Sequence, residues 1–327
     1  MAYDLTIAAY NDIIKTYNDK TSEESMIYVL GSINMDMVAK VPYIPVSGET
    51  MTAEKFFLSP GGKGANQAVA VAKLGGKVRF IGKVGCDANG QALLDNLAAA
   101  NVDADSVGRS AFPTGIAMIL VEKGDNRIIL SPGANYDFDE CDVEEALAAA
   151  EPGDYLIMQL EIPMETVVFA AELAKKKKMT VVLNPAPAAA LPERLTCNVD
   201  IICPNESETE ILTGIKIKDD VSLAAAVSAF YRMGAKSVVI TMGGKGAWVA
   251  DGSTITHIPP RKVKVVDTTG AGDTFIGAMT LRLEKGEDMV TAGRFAAAAS
   301  SVTITREGAA ASIPSLEEVE KILSQKC

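Results

Sequence analysis

The nine residues DTTGAGDTF, Asp267 to Phe275, set two carboxylates six positions apart around Gly270 and Gly272, ahead of the small-residue run FIGAM. A T-G-A-G turn that delivers the chain into a helix converges successive backbone N–H groups, and the positive end of the helix dipole makes that point an anion site. The amides from Gly270 to Asp273 would therefore stabilise developing negative charge there. A carboxylate on the same turn repels phosphate. Asp273 makes chemical sense facing a hydroxyl that attacks a phosphoryl group, where it accepts the proton and aligns the oxygen. Taken alone, Asp273 is equally an N-cap of an ordinary helix.

A second glycine turn, PGGKGANQA at 60–68, enters another helix without the G-x-x-x-x-G-K-[ST] spacing of a P-loop. Asn34 and Asp36 in GSINMD follow a strand and suit a turn. Glu161 in MQLEIP suits a solvated loop. Asn205 and Glu208 in CPNESET have the spacing of a capping box. The one histidine, His257, lies in the strand-like TITHIPP and reads as structural.

The elements that must position these residues alternate. After Met26, IYVLG, VRFIGKVG, DYLIMQL, MTVVLN, VDIICPN and KSVVITMG read as strands, most separated by helical stretches such as 164–175. Strands alternating with helices predict an α/β fold with a mostly parallel sheet covered on both faces, binding ligands beyond the carboxyl ends of its strands. Two pieces break the alternation: an extended region at 37–58, and the pair TGIAMILVEKG and NRIILSPG joined by a turn at 124–126. Together, over about 37–58 and 111–131, they predict a small antiparallel element packed on the main domain as a lid. Residues 1–25 have helix-compatible apolar spacing and then turn polar, predicting a short amphipathic helix and linker ahead of a domain over 26–327.

At 327 residues, with 48% hydrophobic and 6% aromatic content, the chain has the composition of a soluble globular protein. Its 31 basic and 42 acidic residues give a net charge of −11 with no basic stripe for nucleic acid, so positive potential must be placed locally. The Lys175–Lys178 run reads as a solvated helix end. Cys86, Cys141, Cys197, Cys203 and Cys327 form no C-x-x-C pair, which argues against disulfides and zinc and fits a reducing cytoplasm. No apolar run approaches the ~20 residues of a membrane span.

The two glycine motifs, G-G-K-G-A-N-Q-A and D-T-T-G-A-G-D-T-F, in that order, resemble the signatures of the ribokinase/PfkB family of carbohydrate kinases, and the resemblance covers 26–314. It implies a three-layer α/β/α domain with a small β-sheet lid, through which family members commonly form homodimers. It implies ATP-dependent phosphorylation of D-ribose at its 5-hydroxyl, with Asp273 as general base and Gly270, Ala271 and Gly272 as anion hole. Asn34, Asp36, Gly62, Lys63, Asn66 and Glu161 match sugar-binding positions. Asn205 and Glu208 match positions organising the water shell of Mg²⁺, and Thr241, Gly243 and Gly246 match nucleotide contacts, with the Ala-rich helix at 294–301 beside the purine. Asp267, Thr269, Thr303, Arg306, Gly308 and Ser312 match positions surrounding K⁺. Another sugar or nucleoside acceptor (deoxyribose, fructose, adenosine) stays open, as does a sugar-binding regulator without catalysis.

Overall fold

The structure, a computed structural model, describes residues 25–123 and 125–324. The helix expected within residues 1–25 therefore lies outside the described residues save Ser25, as do Gly124 and Cys327. In chain order the described strands are β1 (Ile27–Leu30), β2 (Asn34–Lys40), β3 (Lys55–Gly61), β4 (Val78–Gly85), β5 (Val107–Ser110), β6 (Gly115–Glu122), β7 (Asp125–Ser131), β8 (Tyr155–Met158), β9 (Thr180–Leu183), β10 (Ile201–Ile202), β11 (Ser237–Thr241), β12 (Ala247–Asp251) and β13 (Thr254–Ile258).

Nine of them form one sheet in the order β13-β12-β11-β10-β9-β8-β1-β4-β5, parallel from β11 to β5, with β12 and β13 antiparallel at one edge. The central strands IYVL, YLIM and TVVL carry apolar side chains on both faces, as a sheet covered twice requires. Alternate residues of β1 go to opposite layers. Ile27 and Val29 pack with the helices Lys63–Lys73, Ala271–Glu284 and Met289–Thr303, whereas Tyr28 and Leu30 pack with Met164–Lys176 and Asp220–Met233. This is the three-layer α/β/α arrangement expected from the alternation.

The helices Lys63–Lys73 and Ala271–Glu284, which the two glycine turns open, lie side by side in one layer. A Cβ at Gly277 would stand 2.7 Å from the Gln67 carbonyl and 2.8 Å from Ala70 Cβ, so glycine there sets how closely the helices approach. Their N-terminal ends bring the two motifs together.

The second sheet has the order β3-β2-β6-β7. It is mixed rather than wholly antiparallel, since β2 and β6 run parallel. It also starts earlier than 37: the alternation Asn34-Met35-Asp36-Met37 belongs to β2 itself, so Asn34 and Asp36 are strand residues and not a turn. At the hairpin, Asp125 and Asn126 already pair in β7 with Glu122 and Val121. Lys175 does not extend into solvent, because its ammonium bonds both Asp200 oxygens at 2.9 and 2.7 Å.

Candidate active site

Gly270 sits at φ 74° and opens the Ala271–Glu284 helix, which no side chain caps. The left-handed conformation is one glycine takes without penalty. Asp273 is thus not the N-cap but lies within the first turn, buried, its side chain turned toward the neighbouring helix. Asn66 Nδ2 donates to its Oδ2 at 3.0 Å and Gln67 Nε2 to its Oδ1 at 3.2 Å. Burial pushes the carboxyl above its usual range, against the pull of the Lys63 ammonium and the two amides. Of the three amides expected to form an anion hole, that of Ala271 is spent inside the turn on Thr268 O at 3.2 Å. A Cβ at Gly272 would meet nothing within 4 Å, so space lies open beside it.

The first glycine motif wraps the end of β1. Gly62, at φ 93°, and Gly64 leave no room for a side chain: a Cβ would stand 2.7 Å from Ile33 Cα at the first and 2.8 Å from the Gly31 carbonyl carbon at the second. This close approach sets the glycine turn against the 31–34 backbone. Asn34, opposite Gly61 and Gly115 in the small sheet, is held by Asn135, whose Nδ2 donates to Asn34 Oδ1 at 2.7 Å. Burial, with the Glu161 and Asp273 carboxylates facing it, pushes Asp36 up to about 7. Glu161 Oε2 accepts from the Ser32 hydroxyl and from the Lys63 amide. For the Lys63 ammonium, Asp273, Glu161 and Glu208 together outweigh burial and raise its pKa. Asn34, Asp36, Lys63, Asn66, Glu161 and Asp273 therefore share one centre.

Asn205 caps the Glu206–Thr213 helix in a reciprocal box: its side chain accepts from the Glu208 amide, and Glu208 Oε2 accepts from the Asn205 amide, both at 2.8 Å. Glu208 still belongs to the site. Burial raises its carboxyl, Asn205 and Lys63 pull it down, and Asp273 raises it further. Thr241 bridges Asn205, and Gly243 and Gly246 form the turn after β11, which His257 pins through Lys245 O at 2.8 Å. The His257 ring stacks on Trp248, a structural role as expected.

Asp267 lies in a different environment. Its Oδ1 accepts from the Thr269 amide (2.9 Å) and hydroxyl (2.7 Å), and Oδ2 from the Gly308 amide (3.0 Å). Burial works against the charge, but these donors outweigh it and hold the carboxyl below its usual value. The 267–269 and 303–312 segments are thereby tied together. Within them the Thr303 hydroxyl is committed to Thr274 and Ala299, the Ser312 hydroxyl to Ala309 O, and the Arg306 guanidinium to Glu318. The guanidinium is no cation ligand, so Arg306 could offer one only its backbone carbonyl, whereas the carboxylate and hydroxyl oxygens keep lone pairs. Among the described residues no cluster of three or more His, Cys, Asp or Glu is placed to hold a metal by itself.

The site also contains residues that the motifs did not single out. Gln67, Gln159 and Asn184 are buried polar side chains joined to one another and, through Gln67, to Asp273. The available signal was a glutamine opening the buried Ala–Val run AVAVA, where an amide needs partners.

Three comparisons bear on this geometry. A family model described as pfkB family carbohydrate kinase matches residues 24–316. A ribokinase of Haemophilus influenzae is 42% identical over 297 residues, 90% of this chain and 97% of that protein. A deoxyribokinase of Salmonella typhi is 35% identical over 302 residues, 91% of this chain and 98% of that protein. Among solved structures, that of Arabidopsis thaliana ribokinase complexed with ribose and ATP has a TM-score of 0.85 at 32% identity, with 93% of this chain and 99% of that one covered.

Proposed function

The chain belongs to the pfkB family of carbohydrate kinases, and from that premise we propose that it transfers the γ-phosphoryl group of ATP to the 5-hydroxyl of D-ribose. The observation that carries this reading is Asp273: a buried carboxylate with an amide donor on each oxygen, in the first turn of an uncapped helix beside open space. One lone pair on each oxygen is used by the amides. Others remain for the acceptor hydroxyl, whose proton Asp273 takes as the oxygen attacks.

A neutral polyol needs many directed donors and acceptors, and Asn34, Asp36, Asn66 and Glu161 supply them. Asn66 Oδ1 is buried without a protein partner among the described residues, an acceptor suited to a sugar hydroxyl. One ammonium, Lys63, already faces three carboxylates, which leaves no cation for a phosphate on the acceptor. The Gly272 amide would answer negative charge on the transferred group. Thr241, Gly243 and Gly246 would line the nucleotide.

Mg²⁺ would arrive with the nucleotide phosphates and neutralise their charge, its water shell organised by Asn205 and Glu208. The lack of a three-acid cluster among the described residues fits an ion held mostly by phosphate and water. Asp267, Thr269 and the carbonyls of Thr303, Arg306, Gly308 and Ser312 would hold K⁺, which would order the loop beside the anion hole. The small sheet, which carries Asn34 and Asp36, would act as a lid that excludes water. Its face opposite Asp36 exposes Leu58, Met118 and Ile129 in one cross-strand row and Phe56 beside it, an apolar patch that a second copy of the chain would cover. The described cysteines are free, as in a reducing cytoplasm, and among the described residues no helix is long and apolar enough to cross a membrane.

The test is ADP release from MgATP with D-ribose, 2-deoxyribose, fructose, adenosine and fructose 6-phosphate, with potassium or sodium as the monovalent cation. Potassium-dependent turnover of ribose above the others is the expected result. Preference for 2-deoxyribose, which the similarity to a deoxyribokinase makes the nearest competitor, would keep the chemistry and replace the acceptor. No turnover with any acceptor would favour a sugar-binding regulator.

A further inference from the structure

We propose that Gln67 is a positioning residue for Asp273, and that Asn184 fixes which end of its amide the carboxylate meets. The proposal rests on the reading of Asp273 as the base. A chain of side-chain amides leads to that carboxylate from a backbone carbonyl. Asn184 Nδ2 donates to Cys203 O at 3.2 Å, Gln67 Nε2 donates to Asn184 Oδ1 at 3.3 Å, and the same nitrogen donates to Asp273 Oδ1 at 3.2 Å. Gln159 Nε2 donates to Gln67 Oε1 at 2.6 Å.

The direction of the chain follows from its first member. A backbone carbonyl can only accept, so Asn184 must present its NH₂ to Cys203 and its oxygen to Gln67. Gln67 must then present its NH₂ to Asn184, and the second hydrogen of that group falls to Asp273. The Gln159 donor holds the other end. Rotating Gln67 by half a turn would set its oxygen against the Asp273 carboxylate and against Asn184 Oδ1, and its NH₂ against the Gln159 NH₂. The bonds to Asp273 and to Asn184 would both become repulsions, in a place where Gln67 and Asn184 are buried and water cannot compensate; Gln159, whose own Oε1 has no partner among the described residues, could turn to follow.

The geometry of the two helices makes the arrangement possible. Asn66 and Gln67 are consecutive residues, about 100° apart around the helix, and they reach the same carboxylate because it projects between the helices. Gly277 keeps that distance short. Neutral amides hold an anion without the tight ion pair that would quench a base, and they leave it lone pairs for the substrate. Asn66 keeps a free oxygen for the sugar, whereas Gln67 has no polar atom left over. Gln67 therefore acts on turnover through Asp273 and not on sugar affinity.

The experiment compares kcat against pH, at saturating sugar and MgATP, for the wild type, Gln67→Glu, Gln67→Met and Asp273→Asn, with KM for the sugar alongside. Gln67→Glu preserves shape and replaces the donor by an acid. It should move the acid limb of the profile up by about one unit or more and lower kcat about tenfold or more, with KM changed less than about threefold. Gln67→Met should move the limb in the same direction by less. A folded Gln67→Glu with the wild-type limb and kcat overturns the proposal, whether or not Gln67→Met folds. Asp273→Asn separates the readings: turnover retained there removes the base and the relay with it. Turnover lost there, with an unshifted Gln67→Glu profile, removes the relay alone.

Discussion

Asp267 and Asp273 stand six residues apart on one turn, and their surroundings push them in opposite directions. Asp267 is half-buried and accepts three hydrogen bonds from a loop it ties together, so it stays ionised to lower pH than a free aspartate. Asp273 is buried, and burial raises its affinity for a proton against the pull of Lys63 and of its two amide donors. The same residue type thus serves as a permanent anion that organises a loop and as a group prepared to take a proton. Hydrogen-bond count and burial decide which, and the motif spacing alone does not.

The largest effect should follow from removing the second carboxylate. Asp273→Asn keeps the shape between the helices but not the base, and kcat should fall about a hundred- to ten-thousand-fold while sugar affinity stays within about threefold. A kcat within tenfold of wild type in that variant would erase the distinction between the two aspartates.

Asp36 extends the contrast to a third carboxyl, which burial also raises, to about 7. Its affinity for a proton is higher folded, at about 7, than at the ordinary 3.8, so the folded state binds more protons in that window. Stability is therefore lost as pH rises from about 4 to about 7. Asp36→Asn should stabilise the unliganded chain at pH 8 by up to about 4 kcal/mol and leave it little changed at pH 4, while sugar binding weakens. Urea unfolding at the two pH values checks the sign, and equal effects at both would contradict it.

Asp267→Ala removes the acceptor of three loop bonds and should cost about 2 kcal/mol of stability together with any response to potassium. A loop that is unaffected would mean the bonds are incidental. Smallest is Lys40→Met. Lys40 pairs with Glu307 at 3.0 Å, but their side chains are 35% and 58% exposed. Stability should change by less than about 0.5 kcal/mol, since the loop's own donors and not a surface charge hold Asp267.

The three-layer fold was legible because buried parallel strands are apolar runs separated by helical stretches, two of which, Lys63–Lys73 and Ala271–Glu284, open at glycine turns. The glycines were legible because the turns demand them, whereas Asn66 was singled out only by the family resemblance and Asp273 taken alone could equally have been an N-cap. What escaped was of two kinds. In SINMDMV a strand's alternation was read as a turn, since Asn and Asp favour turns by their own chemistry and only pairing with Lys55–Gly61 and Gly115–Glu122 overrides that. Gln67, Gln159 and Asn184 lie on three separate elements, and nothing in any one of them names its partners. Asn205 and Glu208 showed a third situation, where the capping box expected from spacing and a place beside Lys63 and Asp273 are both present in the same two residues.

The most direct test of the two-aspartate account is the acid limb of kcat for D-ribose with saturating MgATP, measured in the wild type and in Asp267→Asn. The account predicts a limb above the ordinary aspartate range that stays in place when Asp267 loses its charge, whatever happens to the plateau. A limb within the ordinary range, or one that moves by a unit in Asp267→Asn, would contradict it.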